Sequence, residues 1–594
     1  SIPIPMCGIA FLRLLQPLEY YRQKYSTDLY GVEKMYVLMS KLKHRGQDGA
    51  GIASVKFDTK EGRGYLSRCR RTGGTAVEDI FGEINDGLQE ALKEAGDTAP
   101  PRDSGAERTV WLKHNAEFTG EVFLGHLRYG TFGGQSIQQC HPHVRKSNYK
   151  TRTLIVAGNF NLTNVDDLFD LLVNIGQHPV EKSDTVTILE KISHFLDVEH
   201  DVLYNRYKED GKTEKEILQL IAKELQLDRV LANAAQDWDG GYAMAAMTGS
   251  GDAFVLRDPH GIRPAWYYKD DEILCVCSER CAIQTAFHVP QDDIKEIPPG
   301  QALIIKKDGG HERVEDMLKV IRQPPKNGSS SCTFERIYFS KGADGDIYKE
   351  RKELGKRLID QILKVLGGAD HLGNAVFSYI PNTAETAYIG LVEGMSAVLD
   401  ELKTKQILAE IQANQGQISE ERLQEIMKPQ IRADKLANKD TKMRTFITTD
   451  EGNSRERMVS HVYDMTYGCV TKDDSLVVID DSIVRGTTLR VSVLSNLLRL
   501  KPRRVVFISS APLIKYTDCY GIDMAKLGEL CAFKAAIQLL KEDPRYGQDF
   551  IDKIKQEALE QLRGPREKAV NVVKQIYENF TDEQIAAKVA EQVK

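Results

Sequence analysis

The segment from Leu476 to Leu500, LVVIDDSIVRGTTLRVSVLSNLLRL, constrains the fold more than any other in the chain. Leu476 to Ile479 is a compact apolar run of strand length, and from Leu489 the apolar positions Val493, Leu494, Leu497 and Leu498 recur at helical spacing. Between strand and helix lie Asp480, Asp481 and Ser482, then Arg485-Gly486-Thr487-Thr488. A loop at the carboxyl end of a parallel strand, leading into a helix N-terminus, suits phosphate: unpaired N–H groups converge there and glycine lets the backbone approach. Adjacent Asp480 and Asp481 suit sugar hydroxyls or a hydrated magnesium ion. An acidic surface turn would explain neither the placement nor the composition, so the segment is a candidate site for a magnesium-bound sugar phosphate.

The chain around this segment has two halves of different grammar. The first carries short β-type runs such as GIAFLRL, GAGIASVKF, EVFLGHLRYGTF, TLIVAGNFNLT, GGYAMAAMT, DAFVLRD and ALIIKK, with helical periodicity between them in TVTILEKISHFL and KEILQLIAKEL. This predicts an α+β domain of stacked, largely antiparallel sheets between helices. Proline, glycine and serine cluster in RQPPKNGSSS, the expected linker near Arg322 to Ser331. Beyond it strands alternate with long helices, the pattern of an α/β domain with a parallel sheet and crossovers. The expected divisions are 7–325, 326–540 with a charged helical insertion at about 397–436, and a helical tail over 541–594. Within the insertion, Ser419 with Glu420 and Glu421 makes a helix start and Pro429 a stop.

The formal net charge of -6 over 594 residues gives no electrostatic case for nucleic acid. No stretch reaches the apolar length needed to span a bilayer, and Arg13 breaks the short apolar start. Ten scattered cysteines in so long a chain make no disulfide framework, which fits a cytoplasmic setting without membrane or nucleic-acid partners.

One of those cysteines stands out. Cys7, in MCGIAFLR, directly follows Met6. If it became N-terminal, one residue would hold a thiol and a free α-amine, and an amine titrating near roughly 8 can act as the base for a thiol titrating near roughly 8.5. While SIPIPM precedes it, its nitrogen is an amide and cannot do so. Residues 1–6 are then either a propeptide or residues placed ahead of a natural start at Met6. The other reading, a buried cysteine in a first strand, stands beside this one on the residues alone.

The motifs carry a resemblance. VVIDDSIVRGTT is similar to the phosphoribosyl pyrophosphate signature of type I phosphoribosyltransferases. CGIA at Cys7, KHRGQDGAG at Lys43 to Gly51, GHLRYGTFG at Gly125 to Gly133, GNFNLTN at Gly158 to Asn164 and SDT at Ser183 to Thr185 resemble class II glutamine amidotransferases of the N-terminal-nucleophile hydrolase fold. RDPHGIRP at Arg257 to Pro264, SE at Ser278 and Glu279, CTFERIYFS at Cys332 and SSAPLIKYTDCYGIDM at Ser509 continue the match, in order, to about Met524. Together they resemble the glutamine phosphoribosylpyrophosphate amidotransferase family.

The resemblance implies that glutamine is hydrolysed to glutamate and ammonia, and that the ammonia is transferred to phosphoribosyl pyrophosphate to give 5-phosphoribosylamine and pyrophosphate, at the start of purine synthesis. It assigns Cys7 as nucleophile, Asn159 and the N–H of Phe160 as oxyanion hole, Arg128 and Asp184 to the glutamine α-carboxylate and α-ammonium, and Arg45 to ordering the glutamine site. Phe160 stands where the family usually has glycine, and a backbone donor survives the exchange. The family match also assigns Asp480 and Asp481 to ribose hydroxyls and Mg2+, the backbone of Ser482, Arg485, Gly486, Thr487 and Thr488 to the 5'-phosphate, and Thr383, in Pro381-Asn382-Thr383-Ala384, to the metal. From the region of the closing lid only Arg444, with Lys442 and Lys439, carries over. Purine nucleotides are implied as inhibitors and a homodimer or homotetramer as the assembly.

The cysteines argue against an iron-sulfur cluster: Cys332 resembles one ligand position, but Cys519 and Cys531 are isolated. Cys275 and Cys277 fall on one face of a strand, as core residues do, and Cys140, His141 and His143 lack a fourth zinc ligand at a recognisable spacing. Two rival functions remain open at this stage. One is another class II glutamine amidotransferase, which the Asp480 to Thr488 loop disfavours. The other is a degenerate regulatory homologue that binds nucleotides without turnover, suggested by the altered pyrophosphate loop and lid.

Overall fold

The computed structural model describes residues 7–129, 136–179, 181–309, 312–325, 331–439, 463–486, 493–518, 520, 526–564 and 568–593. The chain divides into two compact units, one of residues 4–341 with 518–523, the other built mainly of 342–517 and 524–594.

In the first unit two antiparallel sheets stack face to face. The seven-stranded sheet runs in the order Lys295–Glu296, Trp266–Lys269, Ile273–Cys277, Gly8–Leu14, Val122–Arg128, Gly49–Val55 and Leu66–Thr72. The six-stranded sheet runs Leu318–Val320, Gln301–Ile305, Ala253–Arg257, Gly240–Thr248, Leu154–Leu162 and His143–Arg145. Side-chain alternation sets the layers. Ile9 and Phe11 turn into a core shared with Ile155, Ala157, Ala243 and Ala245 of the other sheet. Ala10, Leu12 and Leu14 turn the opposite way, onto the helices Tyr30–Lys41 and Ala76–Ala95. On the outer face of the second sheet Leu154, Val156 and Met244 meet the helix Asp184–Glu209. The layers are therefore helix, sheet, sheet, helix, as expected from the sequence. With both faces covered, Gly8–Leu14 is buried at every position, which is why these strands read as continuous apolar runs. Cys275 and Cys277 both lie in the helix-facing core.

The first unit extends further than composition suggests. Glu335 is ion-paired to Arg45, and the Lys341 N–H donates to Glu279 at 3.2 Å. These bonds carry the chain to Lys341, beyond the division expected at 325/326.

In the second unit the strands Arg432–Ala433, Ala375–Tyr379, Ser475–Asp480 and Arg504–Ser509 form a parallel sheet in that order. Phe377, Tyr379, Val477 and Ile479 face one helical layer, which includes Glu385–Ala413, and Val376, Leu476 and Val478 face another, with Val493 and Leu497. The charged insertion expected from 397 is the second half of the 29-residue helix Glu385–Ala413, followed by Glu420–Met427. Ser419 caps the latter, its Oγ accepting the Arg422 N–H at 3.2 Å. At the C-terminal end, helices Cys531–Glu542, Gly547–Arg563 and Asp582–Val593 share a core that includes Ala535, Leu540, Ile554 and Ile585. The tail expected to start at 541 thus begins inside a helix that packs on it.

Candidate active sites

Strand alternation places the first site. Cys7, ahead of Gly8–Leu14, continues the series of Ile9 and Phe11 toward the layer between the sheets, and Asn159 continues that of Ile155 and Ala157 from the opposite sheet. On the neighbouring strand Val122–Arg128, Val122 and Leu124 share this layer, so the same alternation directs His126 and Arg128 into it.

Two of the residues expected there, Arg128 and Asp184, act on the thiol. Burial raises the Cys7 pKa, while a hydrogen bond from the Tyr129 backbone and the guanidinium groups of Arg263 and Arg128 work to lower it, against Asp184. Arg128 is 5% exposed and donates to the Ser136 carbonyl at 3.2 Å. Asp184 opens the helix Asp184–Glu209, whose cap is Ser183, and accepts the Thr185 N–H at 2.7 Å. Burial raises the Asp184 pKa against that bond. Asn159 is 2% exposed and its buried Nδ2 has no partner among the described residues. Such a donor costs about 1–3 kcal/mol to leave unpaired, so its presence is the mark of a group that awaits an acceptor.

Arg45 sits in a buried charge cluster. Its Nε donates to Glu279 at 2.6 Å and its Nη2 also pairs with Glu335, while the buried Nη1 has no partner among the described residues. Burial works to raise the Glu279 pKa, but Arg45 and His44 outweigh it and hold the carboxyl below its ordinary range. The next residue fixes the approach of this loop: a Cβ on Gly46 would lie 2.6 Å from the Leu127 carbonyl carbon and 2.7 Å from the Arg128 backbone.

Phe160 is the second-last but one residue of the strand Leu154–Leu162 rather than part of a free loop. Its ring lies across Gly158, where a Cβ would come within 2.2 Å of it. The bulk added at 160 is thus housed by the absence of bulk at 158.

Sequence reasoning gave no role to Arg263, His126, His141 or Thr185. Arg263 is 3% exposed, and its buried Nε and Nη1 have no partners among the described residues. The Asp258 carboxylate fixes its loop by accepting the N–H groups of His260, Ile262 and Arg263 at 2.9, 3.0 and 3.0 Å. The only signal in the sequence was the RDPHGIRP motif. His126 and His141 are stacked, with centroids 4.1 Å apart and 16° between planes. Burial lowers the His126 pKa to about 3 and takes that of His141 well below its ordinary value.

The two imidazoles fix the sign of an acid effect. In the unfolded chain each titrates near roughly 6.5, so below that pH the unfolded state takes up protons that the folded state refuses. Their contribution is fully present above about pH 6.5 and is lost as pH falls toward the folded values, by up to about 1.4 kcal/mol per pH unit for each ring. Urea midpoints of His126→Gln are expected to fall less steeply between pH 7 and pH 4 than those of the parent. An unchanged slope would contradict a buried neutral His126.

The second site lies at the carboxyl ends of the parallel strands. Asp480 ends Ser475–Asp480, Asp481 follows, and the segment Pro381 to Ala384 follows the adjacent strand Ala375–Tyr379, bringing Thr383 to the same edge. Asp480 and Asp481 are 8% and 3% exposed. Burial raises the pKa of each, and their mutual repulsion adds to this at Asp480. Their backbone is pinned: the Ser510 and Ala511 N–H groups donate to the Asp480 and Asp481 carbonyls, both at 2.9 Å. Asp481 Oδ1 accepts from the Ser482 hydroxyl at 3.0 Å. Among the described residues neither carboxylate has an ion-pair partner. Arg485 pairs with Glu529 at 2.8 Å, and Gly486 has a φ of 71°, a left-handed conformation that favours glycine. Thr487, Thr488, Lys442 and Arg444 lie outside the described residues, and Lys439 ends the short strand Ala437–Lys439.

Among the described residues no group of three or more His, Cys, Asp or Glu side chains is placed to hold a metal, and no helix is long and apolar enough to cross a membrane. Two adjacent hard carboxylates do fit a magnesium ion, which keeps several waters and takes its other ligands from a bound phosphate.

The chain thus combines a thiol site between stacked antiparallel sheets with a phosphate-type loop on a parallel sheet, the combination found in proteins similar to it. The chain is recognisable along nearly its whole length as a relative of glutamine phosphoribosylpyrophosphate amidotransferases. It is 24% identical over 540 residues to the amidophosphoribosyltransferase of Pasteurella multocida, covering 89% of this chain and 83% of the relative. With that of Pseudomonas aeruginosa it shares 25% over 513 residues, 84% of this chain and 80% of the relative. The structure of the B. subtilis glutamine phosphoribosylpyrophosphate amidotransferase complexed with ADP and GMP has the same fold, with a TM-score of 0.58 and 22% identity over 91% of this chain and 89% of that one. No protein-family model matches the chain.

Proposed function

We propose that this chain is a glutamine-dependent amidophosphoribosyltransferase, which hydrolyses glutamine and passes the ammonia to phosphoribosyl pyrophosphate, giving 5-phosphoribosylamine, glutamate and pyrophosphate. The observation that carries the reading is the pairing in one chain of a thiol ringed by Arg128, Asp184 and Arg263 with a buried Asp480–Asp481 pair at a phosphate-type loop.

In the first unit Arg128 takes the glutamine α-carboxylate and Asp184 the α-ammonium, which leaves the side-chain amide to Cys7. Once residues 1–6 are removed and Cys7 carries a free α-amine, the thiolate attacks the amide carbon, ammonia departs with the proton supplied through that amine, and water hydrolyses the glutamyl thioester to glutamate. The unpaired Asn159 Nδ2 and the Phe160 N–H receive the oxyanion. Arg45, tied to Glu279 and Glu335, orders the site. Asn159→Ala is expected to lower glutaminase kcat by about 100- to 1,000-fold with a much smaller change in KM, because the donor serves charge that appears only in the transition state. Equal changes in kcat and KM would argue against that role.

In the second unit Asp480 and Asp481 would hold the ribose hydroxyls and Mg2+, with Thr383 as a further ligand for the metal, and the backbone of Ser482, Arg485, Gly486, Thr487 and Thr488 would cradle the 5'-phosphate. Mg2+ held there would supply positive charge to offset that of the pyrophosphate leaving group. Ammonia that stays out of bulk water stays unprotonated and nucleophilic, which is the physical reason to join the two reactions in one chain. Purine nucleotides are proposed as inhibitors, a homodimer or homotetramer as the assembly, and the cytoplasm as the setting. The test is pyrophosphate release with magnesium and phosphoribosyl pyrophosphate, supplied with glutamine or with ammonia. Release with both supports the reading, and nucleotide binding without release would favour a regulatory homologue.

A further inference from the structure

The strand that carries Asn159 and the helix that carries Asp184 are joined by one side chain. The Gly158 N–H donates to His141 Nδ1 at 3.2 Å, and His141 Nε2 lies 3.1 Å from the Thr185 hydroxyl. A backbone N–H can only donate, so Nδ1 is the acceptor and the neutral ring carries its proton on Nε2. That proton is given to Thr185 Oγ1, whose own proton goes to Asp184 Oδ1 at 3.3 Å. The chain of bonds runs in one direction, from the Gly158 backbone to the Asp184 carboxylate, and each bond polarises the next. On the other side the Gly158 carbonyl accepts from His126 Nε2 at 3.1 Å, and His126 stacks on His141. Gly158 is therefore held at both its polar groups, one residue before Asn159.

We propose that His141 is a positioning residue, a strut that fixes the distance between Asn159 and Asp184 and so matches the site to the length of a glutamine held at both ends. The α-ammonium at Asp184 and the side-chain carbonyl at Asn159 are the two ends of the substrate, and His141 connects the residues that receive them. This rests on the functional reading above. Nothing in that reaction requires His141 to touch substrate or to move a proton.

Two substitutions separate the arms of the strut. His141→Asn keeps an acceptor near the Nδ1 position and loses the bond to Thr185, so KM for glutamine is expected to rise about 10-fold with kcat nearly unchanged. His141→Gln keeps a donor near the Nε2 position and loses the acceptor for Gly158, so kcat is expected to fall about 10- to 100-fold with KM nearly unchanged. Thr185→Val, which keeps the side-chain shape and leaves the ring in place, should reproduce the KM effect, and it carries the test if substitution of the buried ring unfolds the unit. Synthesis from ammonia should match the parent in all three. An active parent whose variants all change alike, or none of which changes, overturns the strut alone. A parent that releases no glutamate from glutamine overturns the functional reading and the strut with it.

Discussion

Cys7→Ala is expected to abolish glutamine-dependent synthesis of 5-phosphoribosylamine and to leave synthesis from ammonia at the parent rate. The size of the first effect follows from the chemistry: removal of a nucleophile typically costs about four orders of magnitude or more in kcat. Cys7→Ser should fare little better. Burial already disfavours the thiolate at this position. A hydroxyl is far harder to ionise, and Arg263 and Arg128 do not offset burial even for the thiol. The second effect follows from the division of the chain into two units with separate cores. Ammonia supplied from solution bypasses the first reaction and asks nothing of the thiol. Loss of both activities with the fold intact would sink the division of labour, and retention of glutaminase would remove Cys7 from the role of nucleophile. The measurements are glutamate release, and pyrophosphate release with each nitrogen donor.

How much of this was legible beforehand depended on whether the information was local. The parallel strand Ser475–Asp480 could be read because burial on both faces makes a strand apolar throughout, and Cys275 and Cys277 could be placed in the core because alternation is a property of neighbours. Cys7, Arg128 and Asp184 were legible through motifs, and the structure brings them together. What escaped was pairing across the fold. His141 reaches Thr185 from 44 positions away, and Arg45 meets Glu335 from 290. No spacing rule reports such a meeting, because only the folded chain brings these distant segments together. The division between units failed for the same reason: RQPPKNGSSS marks a connection, but whether the residues after it belong to the unit before or after is decided by the bond between Glu335 and Arg45. Phe160 shows the reverse case. Judged alone it departs from the family's glycine, whereas its ring is accommodated by a local partner, Gly158.

Replacing the acidic pair is expected to cost activity and to add stability. Asp480 and Asp481 are adjacent, buried and without an ion-pair partner among the described residues, so in the folded protein without metal burial and mutual repulsion oppose an ionisation that the unfolded chain makes freely. Asp480→Asn with Asp481→Asn removes both charges and keeps the shape. Without added metal the melting temperature of the double variant should exceed that of the parent. Its synthesis should fall by about 100-fold or more with glutamine and with ammonia alike, since both routes share the phosphoribosyl acceptor. Glutaminase should survive, the mirror image of the Cys7→Ala result. Magnesium with phosphoribosyl pyrophosphate should raise the melting temperature of the parent, because a ligand that binds only the folded state stabilises it by mass action, and should leave that of the variant unmoved. The two outcomes test one statement: the pair is destabilising by itself and is relieved by what it binds. A variant less stable than the parent without metal would mean that the carboxylates serve the fold. A variant that still gains stability from the magnesium complex would place the binding of that complex elsewhere.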